Sequence, residues 1–255
     1  MSKLLFGALR ETRISPSLKR LIAAAAIICC WAVVLPSRAS NPEPQEPKYE
    51  MGTFYLCLLV KPPNFSPGSS PEATAMLQAH FKHAQALLAD GKAAIAGPFT
   101  DNSQIAGLFV LNASSPEEAR AWEEADPLVK TGGFKVEVLK WWAAKGIMKP
   151  AAQPLSMTRY YFTFLRRGPK WTAERTPETE KVQADHMANI NAMARTGKLV
   201  IAGPFEKAGD YAGVFVFKVD TLEEAKALAE SDPAVKVGRL VAEVHPWMIP
   251  KGSLP

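Results

Sequence analysis

Ile95-Ala-Gly-Pro-Phe99 occurs a second time as Ile201-Ala-Gly-Pro-Phe205, 106 residues further along the chain. Working outward at that offset, Ala106-Gly107-x-Phe109-Val110 recurs as Ala212-Gly213-x-Phe215-Val216. Glu117-Glu118-Ala119 recurs as Glu223-Glu224-Ala225, and Asp126-Pro127-x-Val129-Lys130 as Asp232-Pro233-x-Val235-Lys236. Residues 54–146 and 160–252 align without a gap and agree at 33 of 93 positions. A repeat of this length is domain-sized, well above the unit of a solenoid. Most positions have diverged, so what both copies keep can be read as a requirement of the unit. His80 and His186 are the only matched histidines, and an aspartate, Asp126 or Asp232, follows each of them 46 residues later.

Each copy reads β-α-β-β-α-β. Phe54–Val60 and Tyr160–Leu165 are apolar and aromatic runs ending at proline-containing turns, as strands do. A helix follows, with Ser70 or Thr176 as cap and Pro71 or Pro177 as first residue. It stops at Gly91 or Gly197, where a left-handed residue is expected. Short strands run from Ala93 to Ala96, before Gly97-Pro98, and from Gly107 to Leu111, with equivalents in the second copy. Ser115-x-x-Glu118 and Thr221-x-x-Glu224 open the second helix as capping boxes. The last strands are Phe134–Trp141 and Leu240–Val244. This order predicts an α+β fold of two ferredoxin-like units, each with both helices on one sheet face. The bare face of each sheet needs a cover, and the other copy supplies it, giving an intramolecular dimeric α/β-barrel with helices outside.

The expected segments are a leader at 1–39, a proline-rich tether at 40–50, the first repeat at 51–146, a linker at 147–157 and the second repeat at 158–255. The leader joins five basic residues to the uncharged run Leu21–Leu35 and then Ser37-Arg38-Ala39, the layout of a secretory signal. The apolar run is shorter than the roughly 20 residues of a membrane span. The expected location is periplasmic or secreted, with a membrane anchor as the alternative if the leader is retained. Cleavage would remove 6 of 30 basic and 1 of 25 acidic residues, leaving 24 of each. Nothing in that balance suggests a nucleic-acid surface. Cys57 would be the single remaining cysteine, matched by Thr163, so neither an internal disulfide nor a shared thiol chemistry is expected.

Met76, His80, Ala84 and Leu87, like Val182, His186, Ile190 and Met193, form a stripe that turns each histidine toward the sheet. A core histidine satisfied by a hydrogen bond is one reading. Retention in both copies favours a functional one, since Leu or Met would fill the slot without a partner. Asp126 and Asp232 precede proline and suit the cap of a short helical turn. Strand directions also bring them, the histidine and the Gly-Pro pair to one rim of the sheet. A carboxylate there would hold one imidazole tautomer and leave the other nitrogen to exchange a proton. Gly97-Pro98 and Gly203-Pro204 are expected as rigid turns lipping a substrate pocket. Trp141 and Trp247 read as core, and His83 and His245, facing Asn189 and Leu139 in the alignment, as incidental. No shared nucleophile stands in place. One histidine and one aspartate per copy are too few for a typical zinc site, and no dinucleotide or phosphate-loop signature is present. No cofactor or metal is therefore expected.

The aromatic first strand (Phe54-Tyr55, Tyr160-Tyr161), the helix histidine (His80, His186), the Ala-Gly-Pro segments (Ala96–Pro98, Ala202–Pro204) and the Asp-Pro segments (Ala125–Pro127, Ser231–Pro233) together resemble the YCII-related domain family. The resemblance implies a dimeric α/β-barrel similar to muconolactone isomerases. It also implies a histidine–aspartate active site, carried here by His80 with Asp126 and His186 with Asp232. Most members have no assigned reaction, and one type removes chloride from a chlorinated hydroquinone. The tandem fusion and the leader depart from the usual pattern. The expected function is cofactor-free proton transfer, as isomerisation or elimination, on a small cyclic or aromatic compound. The alternative is a non-catalytic small-molecule-binding or structural module. Expected partners are a small-molecule ligand and, for each copy, the other copy; further self-association stays open. No nucleic acid is expected, and no stable membrane contact after cleavage.

Overall fold

Along β1 (Met51–Val60), Phe54, Leu56 and Leu58 enter one apolar cluster while Tyr55, Cys57 and Leu59 enter another. Successive side chains of a strand leave opposite faces, so both faces of this strand are buried and its sequence is continuously apolar rather than alternating. β5 (Met157–Arg167) repeats the arrangement with Tyr160, Phe162 and Phe164 on one side and Tyr161 and Leu165 on the other. The first cluster draws residues from both copies, whereas each of the other two belongs to one copy. A shared interior thus lies between two sheets, and a separate core lies under each copy's helices.

The computed structural model describes residues 50–255 except 64, 66, 67 and 152–154. The expected leader and tether therefore lie outside the described residues, apart from Glu50. The described residues form one compact unit containing both copies. Copy 1 runs β1, α1 (Pro71–Ala89), β2 (Ala93–Pro98), β3 (Ile105–Leu111), α2 (Pro116–Glu124), α3 (Pro127–Lys130) and β4 (Lys135–Ala144). Copy 2 runs β5, α4 (Pro177–Arg195), β6 (Leu199–Glu206), β7 (Tyr211–Phe217), α5 (Leu222–Glu230), α6 (Pro233–Lys236) and β8 (Leu240–Pro250). Among the described residues, no helix is long and apolar enough to cross a membrane.

The strands form one antiparallel sheet in the order β2-β3-β1-β4-β6-β7-β5-β8. β4 meets β6 through Lys140 opposite Glu206 and Trp141 opposite Phe205. The two ends of the series meet in the equivalent way, through a bridge between Phe99 and Trp247 and a hydrogen bond from the Thr100 amide to the Pro246 carbonyl at 3.0 Å. This is the intramolecular dimeric α/β-barrel, closed at two related seams.

The Gly-Pro pairs lie at these seams, which corrects their reading as turns: both fall inside strands β2 and β6. A Cβ on Gly97 would stand 1.9 Å from the Met248 carbonyl oxygen, and one on Gly203 would stand 1.8 Å from that of Trp142. Only a residue without a side chain lets the strands approach so closely. The tryptophans, read as core, are buried and also cross the seams: Trp247 Nε1 donates to the Gly97 carbonyl, and Trp141 Nε1 to that of Gly203, both at 3.1 Å.

The helix boundaries follow local chemistry. Ser70 accepts the Ala73 amide at the start of α1, and Gly91 takes φ +68° just past its end. The reciprocal capping box occurs at α4, between Thr176 and Thr179, rather than at α2 and α5. Glu118 turns instead to the Ser114 amide and hydroxyl, and Glu224 pairs with Lys198. A nearby lysine or a serine one residue earlier outcompetes the cap's own amide.

Candidate functional site

α1 presents His80 toward the sheet, where Phe109 of β3 and Phe134 meet its ring edge-on at centroid distances of 6.4 and 6.0 Å. α4 places His186 over Phe215, the residue matched to Phe109, at 5.9 Å. Asp126 lies at the junction of α2 and α3, and its two carboxylate oxygens do different work. Oδ1 accepts the Leu128 amide at 2.8 Å, capping α3, while Oδ2 lies 2.5 Å from His80 Nδ1. Asp232 repeats this with the Ala234 amide at 2.9 Å and His186 Nδ1 at 2.8 Å. Capping and holding the histidine are therefore compatible roles of one carboxylate.

Both aspartates are fully buried, and the imidazoles keep 12% and 11% exposure. An ionised carboxylate accepts only, so Nδ1 donates within the dyad, and in the neutral imidazole Nε2 then carries the lone pair. Burial pushes the Asp126 carboxyl upward. The His80 hydrogen bond and charge, with the Leu128 amide, outweigh it and leave the group below its ordinary value.

Each dyad histidine lines a cavity of about 580 Å³ between its helix and the sheet. Gly97 and Pro98 line the cavity of His80, and Gly203 and Pro204 that of His186. The opposite copy completes each wall: Met157 and Met248 reach the first, and Met51 and Ala144 the second. Among the described residues, the first cavity carries no charged side chain beside His80. The second also takes in Arg167, Arg239 and Lys207, and both guanidinium groups face Trp171, at 4.8 and 5.2 Å.

Two residues without a match in copy 2 stand beside Asp126. His83 lies one turn beyond His80 on α1, and Glu123 in the last turn of α2, buried with neither carboxylate oxygen hydrogen-bonded. Burial, and then the Asp126 charge, hold Glu123 well above the usual carboxylate range. Burial lowers His83. The buried Cys57 thiol is pushed upward chiefly by burial and then by Glu123, which keeps it neutral. Copy 2 has Asn189, Ala229 and Thr163 at the matched positions, and there Asn189 Nδ2 donates to Asp232 Oδ2 at 3.1 Å. A search for what the copies share is blind to such one-sided residues. The count of one histidine and one aspartate per copy therefore undercounts the polar groups of copy 1. His245, also read as incidental, crosses a seam: its Nδ1 meets Asp101 Oδ2 at 2.8 Å and its ring stacks on Phe99 at 4.7 Å.

A family model described as the YCII-related domain matches residues 53–142 and again 162–248. The uncharacterized protein YjpA of Bacillus subtilis (strain 168) is 34% identical over 80 residues, covering 30% of this chain and 92% of its own. Among solved structures, the chain is similar to a heme-binding protein from Thermus thermophilus, with 14% identity, TM-score 0.48, and coverage of 81% of this chain and 93% of that one. It is also similar to a protein of Lactobacillus acidophilus NCFM provisionally described as a monooxygenase, with 10% identity, TM-score 0.44, and coverage of 77% and 93%.

Proposed function

Because this chain belongs to the YCII-related domain family, we propose that it is an enzyme of proton transfer acting on a small cyclic or aromatic compound, with His80 and His186 as general acid/base and Asp126 and Asp232 as their positioning residues. The observation that carries this reading is the doubled dyad. In each copy a buried carboxylate engages Nδ1 of an imidazole that lines a mostly apolar cavity of about 580 Å³. That volume suits a ring-sized ligand.

With Nδ1–H donated to the aspartate, Nε2 takes a proton from a carbon next to a carbonyl or from a phenolic hydroxyl. The imidazolium that forms is stabilised by the ionised carboxylate. In an isomerisation the same proton returns to another carbon of the ligand. In an elimination the leaving group departs with its electron pair, and the proton passes from the imidazolium to solvent. The apolar walls exclude water and strengthen the electrostatic coupling within the dyad. The leader expected at 1–39 supports a location for this chemistry outside the cytoplasm.

The test uses the full chain in D2O with a panel of hydroxyaromatic compounds and enol-lactones, following deuterium incorporation by NMR. Exchange is expected with at least one ring class. It should slow by roughly 10²- to 10⁴-fold in the His80→Ala/His186→Ala double variant. Saturable binding without exchange in the unmodified chain would replace the enzyme by a binding module, and no binding would leave a structural one.

A further inference from the structure

Copy 1 contains a buried polar cluster with no counterpart in copy 2. One ligand-type atom from each of His83, Glu123 and Asp126 lies within 4.8 Å of the other two. Donor atoms around a four-coordinate ion bound at about 2.0–2.1 Å are separated by about 3.4 Å, so this grouping is of the scale of a metal shell. Glu123 is 0% exposed and neither of its oxygens has a hydrogen-bond partner, and His83 Nε2 is buried and equally without one. A carboxylate so enclosed is costly unless a cation or a proton compensates it.

The outer contacts orient the donors. His83 Nε2 is the buried ring nitrogen without a hydrogen-bond partner. Asp126 is fixed by the Leu128 amide and by His80. Cys57 stays outside the group: its Sγ lies 3.9 Å from the Ala119 carbonyl oxygen, to which the thiol donates.

We propose that His83, Glu123 and Asp126 bind one divalent first-row cation of the zinc type between α1 and the α2–α3 junction of copy 1. Copy 2 cannot form this site, because Asn189 and Ala229 replace the imidazole and the carboxylate and the Asn189 amide occupies Asp232. A cation on Asp126 draws charge from the carboxylate that holds His80. The site itself is independent of the reaction proposed for the dyads.

The full chain, stripped with a chelator, is titrated with Co²⁺ and with Zn²⁺, following visible absorption, heat and melting temperature. His83→Asn and Glu123→Ala are the informative variants, because copy 2 carries those residues at the same places in a folded unit. The unmodified chain should take up one more equivalent than either variant and melt several degrees higher with Zn²⁺. Each variant should weaken that equivalent by about 100-fold or more. Equal stoichiometry and affinity in the unmodified chain and Glu123→Ala would overturn the site. So would a chain that melts the same with and without metal while Glu123→Ala is more stable in both conditions, since Glu123 is then a protonated acid without a cation.

Discussion

The two sites share a dyad and little around it. Beside Asp126 stand the His83 Nε2 and the Glu123 carboxyl, both buried without hydrogen-bond partners, whereas beside Asp232 a single amide, Asn189, closes the network at 3.1 Å. The cavities diverge as well: apart from His80 and Gln85 the first is walled by apolar groups, and the second adds two arginines and a lysine. Duplication held the histidine–aspartate pair fixed and freed its surroundings. One chain thereby holds two environments for the same imidazole, one without charged neighbours in its cavity and one beside three cationic side chains; under the proposed function these suit neutral and negatively charged rings respectively.

The largest expected effect tests whether the sites work independently. His80→Ala alone and His186→Ala alone should each remove one component of exchange by about 10²-fold or more, with different ring substrates affected in each. Identical losses on every substrate, read from initial rates, would show that the copies act as one site. The next effect concerns their equivalence as structure. Gly97→Ala and Gly203→Ala each drive a methyl into a backbone carbonyl, at a cost of about 3 kcal/mol, the upper end for overpacking. Urea unfolding should give similar losses for both, and a tolerated Gly97→Ala would mean that the seams are unequal.

A smaller effect separates the cavities. Arg167→Leu should weaken an aromatic carboxylate at His186 by about tenfold, the worth of one charge-assisted contact. The ligand's effect on the His80 resonance in an NMR titration should stay as it was. The smallest effect lies at a seam. Burial raises Asp101, but the His245 hydrogen bond, the Ser103 amide and the imidazole charge bring it below its ordinary value. A folded value below the unfolded one contributes stability that is complete above about pH 4 and lost as pH falls through the folded value. Asp101→Asn should therefore cost about 0.5 kcal/mol at neutral pH, since the carboxylate is partly solvated. The gap between the two proteins should close in acid. A gap that persists at pH 2–3 would assign the loss to packing.

The architecture was legible because its determinants are local or repeated. Strand runs such as Phe54–Val60, the caps Ser70 and Thr176, and the fixed offset of 106 residues define the units. The lack of any other cover for two bare sheets implies the barrel. The dyads were legible for the same reason, since His80 and His186 survive a comparison that removes nearly everything else. The seam role of Gly97 was not. A Gly-Pro pair ordinarily marks a turn, and only the approach of β8 shows that the glycine makes room for a neighbouring strand. His83 and Glu123 were missed for a different reason: a filter for shared residues discards what one copy acquired alone. The opposite-copy walls, Met157 and Met248, depend on the packing of the units and have no signature in either copy.

Those walls give the crossed seams a wider meaning. Because each cavity is finished by residues of the other half, a change on β8 is felt at His80 and a change on β1 at His186. Neither half can specialise in private. Selection on one pocket edits the scaffold of its twin, and an engineer who wants to retune a single site must mutate across the chain rather than around the histidine.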